Sequence, residues 1–255
     1  MFYSKNLKNY NTNHCFFSRK NGISKGIYKS LNCGTGSKDQ KESVEKNLEI
    51  VSEKFKIKKN LLVLMHQTHS NKVEIVNQNE KNKKFNCDAM LTIDNKVALG
   101  VLTADCVPIL IYEKKKEIVG CIHAGWKGAI NGIIENTLEK INNMNGDVKQ
   151  LVVSIGPCIS QKNYEVKRDF YLNFIKNSKN NLSFFQENKK NTFNFDLRGF
   201  VNKKFSDLGV VEIDNINVDS FAADNEYFSH RRAKKLGHDD YGRCISVIKK
   251  FDEQN

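Results

Sequence analysis

The sequence predicts an α+β domain in which mixed β-sheets are flanked by helices. With 39% hydrophobic and 27% charged residues, the composition is typical of a folded globular protein. Short apolar runs of strand type come in adjacent groups more often than in strict alternation with helical segments, which favours mixed sheets over a doubly wound parallel sheet. No internal repeat and no linker rich in proline, glycine or serine divides the 255 residues. We therefore expect a single domain that spans residues 1–255.

In the first half of the chain, the pattern of apolar residues predicts one helix with strands before and after it. Residues 14–31 carry Gly22 and Gly26 between short apolar pairs, which predicts a strand, a turn and a returning strand. Residues 41–55 place apolar side chains at helical spacing among many charges, which indicates an amphipathic helix. Short apolar runs then predict strands at residues 61–65, 73–76, 97–102, 109–112 and 118–122.

The second half of the chain mixes helices and strands. Residues 127–141 present isoleucine and leucine side chains on one face of a predicted helix. Further helices are predicted at residues 168–175 and 196–208, and Asp196 is expected to be the N-cap of the second. The polar segment 176–192, rich in asparagine and lysine, is expected to be a surface excursion. Strands are predicted at residues 151–155, 210–218 and 244–248.

The net charge of +12 does not predict a nucleic-acid-binding protein. Only six of the 41 basic residues are arginine, and the lysines are spread over the whole chain rather than collected in one patch. Aromatic residues interleaved with a basic patch, which would stack on single-stranded bases, are not evident. A basic surface of this kind would instead help to attract an anionic small-molecule substrate.

Neither export nor membrane insertion is expected. The most apolar run, at residues 97–112, is interrupted by Asp105 and Pro108 and falls short of the roughly 18 consecutive apolar residues of a membrane span. Residues 1–13 are polar and lack the apolar core of a signal peptide. Seven cysteines, an odd number in a chain of this length, fit reduced thiols and a cytoplasmic protein.

Three polar clusters carry metal-binding side chains, and each directly follows a predicted strand. The first contains His66 and His69, the second contains Cys106 and the third contains His123. Strand ends can converge on one point, and two imidazoles with one thiolate would form a three-ligand zinc site whose fourth position is left for water. A zinc ion there would lower the pKa of that water toward neutrality. The spacing does not decide between His66 and His69 as the ligand.

The same side chains allow a different chemistry. Cys106 could act as a nucleophile with His69 or His123 as its base, in a thiol hydrolase that cleaves an amide bond such as one in a cell-wall precursor. Tight zinc binding would argue against this interpretation, because a metal-bound thiolate is occupied.

Six short motifs follow one another along the chain. They are the segments at 67–70 (QTHS), 87–90 (CDAM), 103–108 (TADCVP), 123–128 (HAGWKG), 154–159 (SIGPCI) and 228–232 (FSHRR). Together, in this order, they resemble the YfiH family, and the resemblance runs from about residue 14 to about residue 248. That family was long described as multicopper polyphenol oxidases or laccase-domain proteins, and is now described as purine nucleoside phosphorylases with adenosine deaminase activity.

The resemblance implies that the zinc ligands are His69, Cys106 and His123, with copper as the less expected metal. It also implies a cytoplasmic monomer or weak oligomer that takes phosphate and adenosine, inosine or guanosine, with methylthioadenosine as a further substrate. One departure from the family pattern is the pair Asp219-Ser220, which stands where the family commonly has Cys-Thr. Because that pair is not a zinc ligand, the departure concerns the substrate pocket rather than the metal site.

Phosphorolysis needs cations that bind phosphate, and deamination needs a proton shuttle. Arg19, Arg231 and Arg232 are the expected phosphate contacts, because a guanidinium presents a planar fork to phosphate oxygens. Asp105, beside Cys106, is expected either to shuttle a proton or to orient a metal ligand, and Asp88 could do either. Asp105 and the three ligands form the expected catalytic set.

Two further functions are alternatives. A polyphenol oxidase of the laccase type would need copper sites built from many histidines, and the chain has six in total. A basic RNA-binding module would show salt-dependent affinity and no turnover.

Overall fold

The computed structural model describes residues 1–80, 83–188 and 191–251, which form strands and helices in mixed order. Mixed sheets with helices outside them confirm the predicted α+β class. In chain order the strands and α-helices are β1 (Thr12–Phe16), α1 (Lys41–Lys54), β2 (Leu62–Leu64), β3 (Val73–Ile75), β4 (Ala89–Thr92), β5 (Ala98–Thr103), β6 (Val107–Glu113), β7 (Ile118–Ala124), α2 (Trp126–Ile130), α3 (Ile133–Asn143), β8 (Leu151–Ile155), β9 (Glu165–Lys167), α4 (Arg168–Asn177), β10 (Phe185–Glu187), β11 (Thr192–Phe195), α5 (Leu197–Asp207), β12 (Glu212–Asn215), α6 (His230–Lys235) and β13 (Cys244–Lys250).

Two mixed sheets form the centre of the molecule. The four-stranded sheet has the order β1-β13-β5-β2, and within it only β2 and β5 run parallel. The six-stranded sheet has the order β12-β8-β6-β7-β4-β3, with parallel pairs at its two edges and antiparallel pairs between them. A small antiparallel sheet with the order β10-β11-β9 lies outside these two.

The two large sheets share one apolar core, and helices cover their other faces. Phe16 and Leu99 of the four-stranded sheet belong to the same buried cluster as Leu110 and Val119 of the six-stranded sheet. Helix α1 packs against the other face of the four-stranded sheet, and α3 and α5 pack against the other face of the six-stranded sheet. All residues of β6 and β7 are buried, because both faces of these strands are covered.

Most of the predicted elements are confirmed, with ends that differ by no more than three residues. The Asp196 side chain accepts a hydrogen bond from the Gly199 backbone N–H at 2.8 Å, as an N-cap does. The strand predicted at residues 210–218 is confined to Glu212–Asn215. The confirmed helices are those predicted at 41–55, 168–175 and 196–208, and the confirmed strands are those predicted at 61–65, 73–76, 97–102, 109–112, 118–122, 151–155 and 244–248.

The single helix predicted at residues 127–141 is wrong, because two helices occupy this segment. Gly132, between α2 and α3, has a φ of +91°, which is left-handed backbone that interrupts a right-handed helix. The apolar spacing continues across the break, since Ile133, Ile134 and Leu138 pack against the six-stranded sheet.

Two other expectations need correction. The returning strand predicted within residues 14–31 does not form, because β1 pairs with β13 at the other end of the chain and the following segment has only a 3-10 turn at Gly26–Tyr28. The segment 176–192 is more than a surface excursion, since it contains β10 and packs Phe184 and Phe185 against the core. Residues 189 and 190 of that segment lie outside the described residues.

The described residues include no helix that is long and apolar enough to cross a membrane. All seven cysteines lie within the described ranges, and none of them forms a disulfide. Six are buried, and Cys106 alone among them is partly exposed. Cys106 is therefore the thiol that can reach a ligand from solvent.

Candidate metal centre

The candidate metal centre lies where strands of both large sheets end. His69 lies in the loop after β2, Cys106 in the turn between β5 and β6, and His123 near the end of β7. The ligand atoms of these three side chains all lie within 4.8 Å of one another, and Cys106 Sγ is 3.8 Å from His69 Nε2. His66 does not belong to this group. The structure thus brings together the three side chains that the resemblance implies as ligands.

The buried carboxylate of Asp88 connects two of these side chains. Its Oδ1 lies 2.7 Å from His123 Nδ1 and accepts a hydrogen bond from the His69 backbone N–H at 3.0 Å. Its Oδ2 accepts from the backbone N–H of Ser70 at 2.6 Å and from the Ser70 hydroxyl at 2.7 Å. Because His123 Nδ1 is engaged, its Nε2 is left for a metal, which is the usual arrangement of a metal-binding histidine. Of the two roles expected for Asp88, these contacts favour orientation of a ligand.

The backbone of His69 is strained, and Asp88 holds it in place. His69 has a φ of +58°, in the left-handed region, which costs a non-glycine residue about 1–3 kcal/mol. The Asp88 carboxylate accepts hydrogen bonds from the backbone N–H groups of Thr68, His69 and Ser70, three consecutive residues of this loop. These bonds fix the loop so that the His69 ring meets Cys106.

The pKa values of these groups are coupled. Burial would raise the pKa of the Cys106 thiol, but the adjacent His123 and His69 rings lower it below its ordinary value. Burial would lower the pKa of His123, but Cys106 and Asp88 raise it. Burial would raise the pKa of Asp88, but hydrogen bonds from His123 and Ser70 lower it to about 2. The surroundings therefore favour a thiolate at Cys106, the form in which cysteine binds metals.

The donor set and its surroundings fit a zinc ion. Two imidazoles and one thiolate are ligands that zinc accepts, and three protein ligands leave a fourth position open in catalytic zinc sites. His69 is exposed, Cys106 is partly exposed and His123 is buried, so the group has one side open to solvent. Gly125 makes this close grouping possible, because a Cβ at Gly125 would lie 2.6 Å from His69 Cδ2 and 3.1 Å from Cys106 Sγ.

Two cavities open beside the centre. The first, of about 530 Å³, is called here the aromatic cavity and is lined by Trp126, Tyr164 and Phe170. The second, of about 290 Å³, is called the basic cavity and is lined by His66 and Arg243. His69 and Cys106 line both cavities. Trp126 also packs on Phe170, with ring centroids 4.8 Å apart, so it serves the core as well as the cavity wall.

Asp105, next to Cys106, is buried and fully engaged. Its carboxylate accepts hydrogen bonds from the Ser220 hydroxyl at 2.7 Å, the Ser229 hydroxyl at 3.0 Å and the Arg231 backbone N–H at 2.6 Å. These bonds tie the turn that carries Cys106 to the start of α6. They favour an orienting role for Asp105 over a proton shuttle, because its oxygen atoms already face three donors.

The three arginines expected to bind phosphate lie in different places. Arg231 lines the aromatic cavity, and its guanidinium carbon is 5.2 Å from the centroid of the Tyr164 ring. Arg19 and Arg232 line a third cavity, of about 740 Å³, whose lining does not include the ligands of the metal centre. The guanidinium groups of Arg19 and Arg232 each donate hydrogen bonds to backbone carbonyl oxygens. A phosphate-binding role for these arginines stays a prediction, and of the three only Arg231 shares a cavity with the centre.

Residues 13–250 match the family described as multi-copper polyphenol oxidoreductase laccase. The chain belongs to this family. Its membership confirms the resemblance to YfiH proteins that the six ordered motifs indicate.

Curated relatives in the family carry the name purine nucleoside phosphorylase. The phosphorylase of Rickettsia prowazekii is 36% identical to this chain over 189 residues, which cover 73% of this chain and 76% of the relative. The phosphorylase of Mycobacterium tuberculosis is 30% identical over 223 residues, which cover 86% of each chain. The match therefore extends over most of both proteins.

Solved structures in the family have the same fold. A Neisseria meningitidis protein of the family has a TM-score of 0.85 and 28% identity, and the match covers 95% of both chains. YfiH of Bacillus licheniformis has a TM-score of 0.87 at 24% identity, and the match covers 93% of this chain and 92% of that one. The arrangement of sheets and helices is thus that of the family.

Sequence patterns did not assign several residues around the two cavities. Tyr164 and Arg243 lie outside the six motifs, and no spacing pointed to either. Asp219, at the departure from the family pattern, accepts hydrogen bonds from the Ser160 hydroxyl and the Asn163 side-chain amide, both at 2.6 Å. The departure from the family pattern is a sequence signal for this part of the cavity wall, because Asp219 holds the loop that leads directly into Tyr164.

Proposed function

We propose that this chain is a zinc-dependent purine nucleoside phosphorylase that also deaminates adenosine. The observation that carries the proposal is the group His69, Cys106 and His123 at the wall of an aromatic cavity. The phosphorylase names of relatives at 30–36% identity support it. We extend the proposal to a single catalytic domain over residues 1–255 in a cytoplasmic monomer or weak oligomer, with nucleoside and phosphate as its ligands.

We assign zinc to the centre rather than copper. Two nitrogen donors and one thiolate suit a tetrahedral zinc ion with one open position. Copper oxidase chemistry of the kind in the family's description uses many histidines, and only two of the six in this chain belong to the group. When bound, zinc supplies a Lewis acid at the wall between the two cavities.

The chain's own residues bind and orient the reactants. Trp126, Tyr164 and Phe170 offer flat apolar surfaces to a purine base. Asp88 fixes the His123 ring through Nδ1, and Asp105 fixes the turn that carries Cys106. We propose adenosine, inosine and guanosine as substrates, with methylthioadenosine as a further one. All of them contain a purine base, which can stack on the aromatic side chains of the cavity.

Product analysis with adenosine tests the proposed function. The zinc-loaded protein is incubated with adenosine in the presence and absence of phosphate, and adenine, inosine and ribose 1-phosphate are separated by chromatography. We expect adenine and ribose 1-phosphate only when phosphate is present. We expect inosine when phosphate is absent, because with phosphate the enzyme would cleave inosine further to hypoxanthine. Cys106→Ala is expected to lose both activities, while Cys158→Ala, at a buried cysteine outside the group, serves as the matched control.

The two activities can fail separately. Absence of adenine and ribose 1-phosphate in the presence of phosphate would contradict the phosphorylase. Absence of inosine in the incubation without phosphate would contradict the deaminase and leave the phosphorylase standing.

The lowered pKa of the Cys106 thiol supports a second candidate, a thiol hydrolase of amide bonds. In that enzyme the thiolate must be free, so removal of zinc would preserve or raise the activity. In the proposed phosphorylase, removal of zinc abolishes turnover. Amide hydrolysis by the zinc-free protein, lost in Cys106→Ala, would favour this second candidate.

A further inference from the structure

The aromatic cavity suits the nucleoside rather than phosphate. Its volume of about 530 Å³ falls in the range of roughly 300–1,000 Å³ that small-molecule sites occupy. Aromatic and aliphatic side chains form much of its wall, and the charged residues that also line it are two acidic and two basic ones, Asp105, Glu165, Lys167 and Arg231. The cavity therefore offers an anion no excess of positive charge among these residues, whereas its aromatic rings can stack on a purine.

The basic cavity has the opposite character. Its described lining residues include His66 and Arg243 but no aspartate and no glutamate. Thr35 and Gly36, also part of its lining, have backbone N–H groups that donate to no acceptor within residues 1–80, 83–188 and 191–251. A guanidinium and free N–H groups are what an oxyanion requires. The carboxylate of Asp240 interacts with the charge of Arg243, but Asp240 is not part of this lining and accepts hydrogen bonds from the Tyr28 hydroxyl and the Lys38 backbone N–H.

Arg243 is held in position before any ligand arrives. Its backbone N–H donates to Asn32 Oδ1 at 2.9 Å, and its backbone carbonyl accepts from the Cys33 N–H at 3.1 Å. Its guanidinium carbon lies 4.5 Å from the centroid of the Tyr241 ring. Gly34 leaves room for the side chain, since a Cβ at Gly34 would lie 3.1 Å from Arg243 Cδ and Nη1.

The guanidinium of Arg243 keeps most of its hydrogen-bonding capacity. Only Nη1 donates to a protein acceptor among the described residues, the Tyr241 carbonyl oxygen at 3.2 Å. Arg232, by contrast, uses both Nη1 and Nη2 on backbone carbonyl groups. Nε and Nη2 of Arg243 are therefore available as the two parallel donors that a phosphate accepts.

We propose that the basic cavity is the phosphate site, with Arg243 as its principal contact, and that the nucleoside occupies the aromatic cavity across the metal centre. This inference rests on the proposed phosphorylase function and adds a residue that no motif indicated. In the reaction, a phosphate oxygen forms a bond to ribose C1′ and the N-glycosidic bond breaks. The electron pair of that bond goes to the purine, which takes up a proton and leaves as the free base, with ribose 1-phosphate as the other product.

Steady-state kinetics of the zinc-loaded enzyme with inosine and phosphate test the assignment. Arg243→Gln is expected to raise the KM for phosphate about 10- to 100-fold, the loss expected for charge-assisted hydrogen bonds, with the KM for inosine changed less than about twofold. Arg243→Lys keeps the charge without the fork and is expected to fall between wild type and Arg243→Gln. Arg231→Gln, on the aromatic cavity, tests the competing prediction that Arg231 binds phosphate, and we expect it to raise the KM for inosine and not that for phosphate.

Titration of the zinc-loaded protein with inorganic phosphate separates this inference from the proposed function. Calorimetric binding of phosphate that Arg243→Gln weakens and Arg231→Gln leaves unchanged would support the phosphate site even if inosine were not converted. Absence of phosphorolysis in the wild type would count against the function, not the site. An unchanged phosphate affinity in Arg243→Gln, or a loss of phosphate binding in Arg231→Gln instead, would overturn the assignment.

Discussion

At the scale of single residues, Asp88 does the most to organise the metal centre. Its carboxylate contacts ring nitrogen Nδ1 of His123. It also accepts hydrogen bonds from three backbone N–H groups of the loop that carries His69. The sequence offered Asp88 and Asp105 with the same two roles, because both are aspartates beside candidate ligands. The choice between proton shuttle and ligand orientation depends on the hydrogen-bond partners of each aspartate. These partners lie 18 to 35 positions away in the sequence for Asp88 and 115 to 126 positions away for Asp105, so sequence spacing does not reveal them.

Replacement of this carboxylate is expected to weaken metal binding. In Asp88→Asn, the side chain loses its charge and can no longer accept hydrogen bonds with both atoms, so His69 and His123 lose their common support. The zinc affinity, measured by competition with a chelating dye, should fall about 10- to 100-fold. Asp207→Asn, at an exposed carboxylate paired with Lys203, is the control and should bind zinc like the wild type. Equal zinc affinity in Asp88→Asn and the control would refute the role of Asp88.

At the scale of elements, the sequence predicts the helices and strands that have a regular local spacing of apolar residues. It does not predict those whose extent is set by backbone geometry or by partners distant in the sequence. Helix α1 and the buried strands β5 to β7 follow directly from their patterns. The break at Gly132 was hidden because the isoleucine spacing continues through it, although the Asn131-Gly132 pair was a signal. The phenylalanines of segment 176–192 give no periodic pattern, since Phe184 packs on Phe200 and Phe185 packs on Phe195 instead of forming one helix face.

The helix break gives a measurable prediction. Gly132→Ala places a Cβ on left-handed backbone and should lower the free energy of unfolding by about 1–2 kcal/mol. Gly36→Ala is the control, because a Cβ there meets nothing within 4 Å and its φ lies outside the left-handed region. Urea denaturation followed by circular dichroism measures both. Equal stability of the two variants would show that the break is not set by Gly132.

At the scale of the whole molecule, the N-terminal segment joins the two large sheets. Ser4 Oγ donates to Asp214 of the six-stranded sheet at 2.8 Å, and the Ser4 backbone N–H donates to Nε2 of His14 in the four-stranded sheet at 2.9 Å. The Ser4–Asp214 hydrogen bond and the pairing of β1 with β13 both join residues near the two ends of the chain. Sequence patterns predicted the strands but not these partners, because strand periodicity does not encode which strands pair.

Burial of His14 predicts a pH dependence of stability. Burial lowers the pKa of His14 from 6.5 to about 4, so between these values the unfolded chain binds a proton that the folded chain does not. The free energy of unfolding should therefore decrease as the pH falls from about 6.5 to about 4, by at most about 3 kcal/mol from this residue. Denaturation across this pH range should show a weaker dependence in His14→Gln than in His238→Gln. The same slope in both variants would contradict the prediction.

A zinc titration of the metal-stripped protein, with inosine and phosphate as substrates, tests whether phosphorolysis depends on the metal centre. If His69, Cys106 and His123 hold the metal that phosphorolysis requires, the stripped protein is inactive. The rate of hypoxanthine release should then rise with added zinc and level off at about one equivalent per chain. Full activity of the stripped protein, or a rate that zinc does not change, would show that phosphorolysis does not require the metal centre.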